Sequence, residues 1–153
     1  MRSDELFMKQ AIAEARKTEA ADDVPVGAVI VHKGRVIGRG HNQVELLRDP
    51  TAHAEMIALT SAAQYLRAKW LSGCTLYVTI EPCSMCAGAL VLARVPRVVF
   101  GAWDPKAGAG GSVMNILHHR RLNHRIKVTG GVLEAECAAL LKEFFRKKRA
   151  ATS

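Results

Sequence analysis

His53-Ala54-Glu55 and, further along, Pro82-Cys83-Ser84-Met85-Cys86 hold the residue types in this chain that can do chemistry. One imidazole and two cysteines spaced i, i+3 supply three soft-to-borderline metal ligands. Three protein ligands leave the fourth corner of a tetrahedral site open to water, as a catalytic zinc requires. Glu55 stands two residues from the imidazole and can handle that water's protons. A Cys-x-x-Cys alone would equally suit a redox pair or half of a structural zinc site. A structural site needs a fourth protein ligand, and neither Cys74 nor Cys137 has ligand-like spacing. His32, His41, His118, His119 and His124 suit surface or hydrogen-bonding positions better than ligation.

Cys83 and Cys86 fall on one face at the start of a helix, where the helix N-terminus and a metal both favour thiolate. Two thiolates and one neutral imidazole leave a zinc site near neutral, and the pKa of its water would drop toward about 7. Residues at i and i+2 do not share a helix face. His53 and Glu55 therefore converge only at the very start of a helix, where the long Glu side chain can reach back. The His-x-Glu and Pro-Cys-x-x-Cys pattern predicts hydrolytic deamination. Glu55 moves a proton from the water to a ring nitrogen, hydroxide adds to the adjacent carbon, and the exocyclic amine leaves as ammonia. His-x-Glu followed by Pro-Cys-x-x-Cys is the pattern of zinc-dependent nucleobase deaminases.

These side chains need elements to position them. Met8, Ala11, Ile12 and Ala15 recur at helical spacing in a first helix that Ser3 can cap. Val26 to Val31 reads as a strand, Lys33-Gly34 as a turn, and Arg35 to Gly40 as a second strand. Residues 41 to 52 read as a polar loop. A helix runs from about Thr51–His53 to Arg67, and Cys74 to Ile80 is a strand rich in β-formers. Glu81-Pro82 starts the next helix, with proline in its first turn, and that helix ends before Pro96. Arg97 to Gly101 is a strand, 102 to 112 a Gly-rich loop, and a turn or two of helix is expected near Val113 to His119. Ile126 to Thr129 is the last strand. A final helix covers about 133–148, with Leu133, Cys137, Leu140, Leu141 and Phe144 on one face and a frayed tail at 150–153. The order predicts an α/β fold with a mixed five-stranded sheet between helices. Strands separated by helices should pair in parallel, and the early hairpin adds one antiparallel pair.

The 153 residues suit a single domain with a real core. No apolar run approaches the roughly 20 residues of a membrane span, and the first residues are polar and mixed in charge. A soluble cytoplasmic protein with reduced cysteines is expected. Lys plus Arg number 22 against 14 Asp plus Glu, a net charge of +8 that favours a polyanionic partner. Lys142, Arg146, Lys147, Lys148 and Arg149 form one basic cluster, and His119-Arg120-Arg121 with His124-Arg125 a second.

Over nearly its whole length the chain resembles the bacterial tRNA-specific adenosine deaminases of the cytidine/deoxycytidylate deaminase superfamily. The resemblance runs through Asp49-Pro50-Thr51-Ala52-His53-Ala54-Glu55, Glu81 to Ala89, Arg97 to Ala102, Gly111 to Asn115, Leu117-His118-His119, Asn123-His124-Arg125 and Phe144-Phe145-Arg146. The zinc motif is shared with cytosine, guanine and deoxycytidylate deaminases; the downstream segments and the basic C-terminal helix select the tRNA branch. The resemblance implies a three-layer α-β-α cytidine-deaminase fold and a homodimer. It implies conversion of the wobble adenosine of an arginine tRNA anticodon to inosine, a hydrolysis of a cyclic amidine C–N bond. One zinc per subunit would be held by His53, Cys83 and Cys86, with Glu55 as proton shuttle and no nucleotide cofactor. Asn42, Val26 and Ala54 would meet the flipped base. Asp104, Lys106, Asn123, Phe145, Arg146 and Arg149 would meet the anticodon stem-loop.

Each of these positions has a plainer reading. Asn42 could be a turn residue, Phe145 core, the basic run a solvated helix end, and Asp104 with Lys106 stabilisers of their own loop. Trp103 stands where a polar residue is expected in that family. It could stack on a nucleotide or pack at a subunit interface. Two rival functions remain at this point: a deaminase of free bases or nucleosides, and a non-catalytic subunit that binds RNA and carries zinc structurally.

Overall fold

The structure is a computed structural model and describes residues 2–152. Its elements are α1 (Arg2–Ala15), a 3-10 helix (Arg16–Ala21), β1 (Gly27–His32), β2 (Arg35–His41), α2 (Val44–Leu47), α3 (Ala54–Leu66) and β3 (Cys74–Ile80). There follow α4 (Ser84–Leu92), β4 (Arg97–Ala102), β5 (Lys127–Thr129) and α5 (Glu134–Thr152). The five strands form one mixed sheet in the order β2-β1-β3-β4-β5. Lys33 and Gly34 both take positive φ, 51° and 76°, as the tight β1–β2 turn requires.

Alternation along the strands builds the layers. Ala28, Ile30, Leu76, Val78, Val98 and Phe100 face one side, where Ala54, Ala58 and Ala62 of α3 and Ala87 and Leu90 of α4 cover them. Val29, Val31, Tyr77 and Val99 face the other, against Met8, Ala11 and Ile12 of α1 and Cys137 of α5. This is the expected α-β-α sandwich. Gly40 sets how closely α3 approaches the sheet: a Cβ there would run into the Ala54 carbonyl and would come within 2.9 Å of Ala58 N.

Several expectations need correction. Besides β1–β2, β1 also pairs antiparallel with β3, so there are two antiparallel and two parallel pairs. The connection from β2 through α3 crosses β1 and places β3 on its other side. Ser3 lies inside α1 and does not cap it. The polar loop contains the single turn α2, whose Glu45 and Leu46 N–H groups bond to the buried carboxylate of Asp23 at 2.6 and 3.3 Å. Pro82 precedes α4, for which Cys83 is the N-cap. No helix forms around Val113 to His119; its place is taken by turns and the Gly110–Asn115 bridge. α5 continues to Thr152, past the expected end near 148, and the Thr152 hydroxyl donates to the Arg149 carbonyl at 3.1 Å. Ser153 lies outside the described residues.

One polar cluster ties α1 to the sheet. Asp4, buried on α1, accepts 2.9 and 2.7 Å hydrogen bonds from the Arg97 guanidinium and one of 2.9 Å from the Tyr77 hydroxyl. Arg97 also donates to Thr129 at 3.2 Å, so the cluster spans β3, β4 and β5. The Arg97 hydrogen bonds hold the Asp4 carboxyl below its ordinary 3.8. Its contribution is therefore complete above about pH 3.8 and fades as pH falls through the lower folded value. Asp4→Asn should lower unfolding stability at pH 7 by roughly 2–4 kcal/mol, because Arg97 loses its carboxylate. Urea melts checked at pH 7 and again near the acid limit should show that difference shrinking; an unchanged difference would assign the loss to packing instead.

Candidate metal centre

His53 and Cys83 occupy equivalent places on two helices. Each is an N-cap with extended backbone, φ −76° in both, at the start of α3 and α4 respectively. Cys86 follows in the first turn of α4 and is fully buried. The His53 Nδ1 lies 3.4 Å from the Cys86 sulfur and 3.6 Å from the Cys83 sulfur. All three ligand atoms fall within 4.8 Å of one another. A tetrahedral ion with ordinary metal–sulfur and metal–nitrogen bonds places its sulfur and nitrogen ligands about 3.6 Å apart. The ligands thus stand at coordination spacing and could hold a metal ion.

The electrostatics fit the same use. Cys83 accepts hydrogen bonds from Cys86 and His53, which bring its pKa down to about 3, a thiolate at neutral pH. Cys86, as the donor to Cys83 and itself buried, is pushed strongly up. A bound cation would take the place of the proton these two sulfurs share. His53 is raised, first by its bond to Cys83. Glu55, 4% exposed, is pushed up to about 7 by burial, with its charged form partly favoured by His53. A carboxyl titrating near neutrality can both take and return a proton.

Asn42 lies beside this centre through the Gln43 N–Ala52 O bond of 2.9 Å, which joins the end of β2 to the residue before His53. Its Nδ2 donates to the Val24 carbonyl at 3.1 Å and its Oδ1 accepts from Val44 N at 3.3 Å, while its backbone N–H reaches Val26 O. Val26 is 9% exposed and Ala54 fully buried.

The loop after β4 is organised by a residue the sequence reading passed over. Glu81 is buried and accepts from Asp104 N at 2.9 Å, Gly110 N at 2.9 Å, Ser112 N at 3.0 Å and the Ser112 hydroxyl at 2.5 Å. Burial opposes its charge, yet these bonds win and hold it below the ordinary carboxylate value. Gly108 packs on the Glu81 carboxylate with no room for a Cβ. Ala109 N donates to Pro82 O at 2.8 Å, so the loop leans on the residue before Cys83. The signal was present: Glu81 and Asp104 are the only acids between residues 81 and 133, and a Gly-rich loop of bare N–H groups needs an anion.

The remaining sequence-predicted residues are spread wider. Asp104 Oδ1 caps its own loop through Lys106 N and Ala107 N at 3.0 and 3.2 Å, leaving the Lys106 side chain exposed. Trp103 packs edge-on against Phe100 with centroids 4.7 Å apart. Asn123 is exposed. Phe145 is exposed rather than core, edge-on to Phe144. Arg146 forms a two-pronged pair with Glu143, and Arg149 is exposed. These last three ride on α5, across the sheet from α3 and α4. Lys148 pairs with Asp22, which ties α5 to the segment leading to Val24 and Val26.

Comparison with known proteins agrees with this site. The sequence model of the MafB19-like deaminases matches residues 2–149. Fold and ligand set together therefore define a deaminase. The chain is 52% identical to the tRNA-specific adenosine deaminase of Bacillus subtilis (strain 168), over 97% of this chain and 92% of that one. It belongs to the tRNA-specific adenosine deaminase family. A solved structure from work on A-to-I editing by tRNA:A34 deaminases at the wobble position superposes with a TM-score of 0.85 at 43% identity, covering 89% of this chain and 99% of that one. The guanine deaminase of Nitrosomonas europaea superposes with a TM-score of 0.80 at 31% identity, covering 92% and 83%.

The Glu81 clamp predicts that Glu81→Gln, whose NH2 group would face backbone donors, costs about 1–3 kcal/mol. Hydrogen exchange should speed up at Gly110 and Ser112 while metal content stays at the parental level. Unchanged exchange there would remove the clamp role.

Proposed function

We propose that this protein, as one deaminase domain over 1–153, hydrolyses the wobble adenosine of a tRNA anticodon to inosine and ammonia. The observation that carries the reading is the three-ligand cluster with Glu55 buried beside it. An arginine tRNA is the substrate we favour. His53 Nδ1 and the sulfurs of Cys83 and Cys86 would hold one zinc per subunit, a soft ligand set that suits it. When bound, zinc supplies a water acidified toward about 7.

Glu55 takes a proton from the attacking water and delivers it to N1 of the adenine, beside C6. It then passes the remaining water proton, from the new C6 hydroxyl, to the 6-amino group, which leaves as ammonia while C6–O becomes the carbonyl. One C–O bond forms, one C–N bond breaks, and no electrons are transferred. Asn42 keeps one N–H and one lone pair beyond its loop bonds and can read the base edge. Val26 and Ala54 would wall the pocket. An anticodon base is already unpaired, so presenting it to a recessed site costs little. Lys106, Asn123, Phe145 and Arg149 would meet the RNA, with Asp104 and Arg146 holding their neighbours; Phe145 would serve as a stacking platform.

The protein would act as a homodimer. The support is apolar surface on the α3–α4 layer, where Tyr65 is 62% and Leu92 80% exposed. It would work in the cytoplasm, where its four free cysteines stay reduced. No helix among the described residues is long and apolar enough to cross a membrane. The likeness to guanine deaminase keeps a free-base substrate as the second reading.

Two outcomes are expected. Glu55→Gln should retain one zinc per chain by elemental analysis, yet lose at least about 10²–10⁴-fold in ammonia release from an anticodon stem-loop. An active Glu55→Gln protein would exclude the shuttle. Cys86→Ala should lose the metal and the activity together. Turnover of free guanine, with none of the stem-loop, would replace the tRNA reading by the second one.

A further inference from the structure

The basic clusters differ in how their charge is used. On α5, Arg146 and Lys147 face Glu143, and Lys148 faces Asp22. Between residues 105 and 133 the sequence has Lys106, Arg120, Arg121, Arg125 and Lys127 and no acid at all. Among the described residues none of those five makes an ion pair, and all are exposed. Uncompensated cations set along one surface are the footprint of a polyanion.

Two of them, Arg125 and Lys127, also line a groove. A depression of about 480 Å³ is lined by Gly110, Asn115, His118, Arg125 and Lys127, among others, along β5, the last strand of the sheet. Its walls are fixed. Ile126 N donates to Leu117 O at 2.7 Å, His118 Nδ1 meets Ile126 O at 2.9 Å, and the Arg125 guanidinium donates to the Arg120 carbonyl at 2.9 Å. At one end Gly110 is held by Glu81, beside Pro82 and Cys83. At the other Lys127 N bonds to Pro96 O, just before β4 begins. Glu81 N bonds to Ala102 O at the end of β4 and Lys127 pairs with Arg97 at its start, so the Lys127 end of the groove points away from the metal centre.

We propose that this groove binds the phosphate backbone of an RNA stem, the helical part of the same molecule whose loop base enters the metal centre. The proposal rests on the RNA reading above and deepens it. A free base or nucleoside is too short to reach Lys127 while its ring is at His53. A stem continuous with the loop spans that distance, and its phosphates match the unpaired cations. The backbone contact carries no sequence information and supplies salt-dependent affinity. Lysine on an edge strand also guards against strand pairing, and the experiment separates that use from this one.

The test compares the zinc-loaded full chain with R125Q/K127Q, both exposed groove-lining side chains, and with K9Q/K33Q, the same loss of charge elsewhere. Binding is measured from 50 to 300 mM salt on a hairpin with a long stem and on the same loop closed by two base pairs. For the long stem, R125Q/K127Q should bind roughly tenfold more weakly at low salt, with a log–log salt slope smaller by about two. Its affinity for the short hairpin, and its kcat at saturating long hairpin, should equal those of K9Q/K33Q. Equal binding of the long stem by the two variants would overturn the groove, as would equal losses on both hairpins. Failure of the tRNA reading looks different: the parent would release no ammonia from either hairpin, while the stem-dependent binding loss still assigns the groove.

Discussion

Three ligand atoms on two separate helices must come within coordination distance, and the rest of the molecule is arranged around that convergence. His53 caps α3 and Cys83 caps α4. Two helix starts can meet only if the strands feeding them end at the same edge of the sheet. β2 leads into α3 and β3 into α4. Both lie antiparallel to β1, one on each side of it, so they run parallel to one another. Their ends are two strand spacings apart, roughly 10 Å, a gap that Asn42 to Ala52 and Glu81-Pro82 then close. The β1–β3 pairing is thus what makes the metal centre possible.

Close packing makes the same point from the other side. α3 must lie low on β2 and β1 for His53 to reach Cys86, and a stripe of Ala54, Ala58 and Ala62 over Gly38 and Gly40 lets it do so. The two helix N-termini then face one small volume. Their N–H groups and partial positive charge favour thiolate, so the helix geometry that gathers the ligands also prepares their ionisation. On the opposite face the Asp4–Arg97–Tyr77 cluster fixes α1 across three strands, which keeps the sheet that carries β3 rigid behind the site.

The ligands and Glu55 were legible because their chemistry depends on residue type and short spacing. The helices at Ala54–Leu66 and Glu134–Thr152 and the strand at Cys74–Ile80 were legible because periodicity reports burial directly. What escaped depended on distant partners. Nothing local in Cys74–Ile80 says that it lies beside β1 rather than β2. Val113 to His119 has mildly helical spacing, but the Glu81 clamp and the Gly110–Asn115 bridge hold it as turns. Val44–Leu47 is helical because Asp23, far back in the chain, caps it. The exposure of Phe145 follows from which face of α5 the sheet selects, and Leu141 at i−4 gave no hint of it.

Two buried glutamates show how environment divides one functional group into two roles. Glu55 and Glu81 are 4% and 1% exposed, and both lie within two residues of a candidate metal ligand. Burial raises Glu55 to about 7, because few donors meet its carboxylate. Burial acts on Glu81 as well, but three backbone N–H groups and the Ser112 hydroxyl outweigh it. A carboxylate so fully engaged keeps its charge and has no lone pair to spare for a substrate, so it can only hold structure. A carboxyl left underbonded, as Glu55 is, titrates near neutrality and suits the proton-carrying role proposed for it. The difference comes from the Gly-rich loop, which folds its N–H groups onto Glu81 and leaves Glu55 without them. The same functional group is thus a structural clamp at Glu81 and a free acid–base candidate at Glu55.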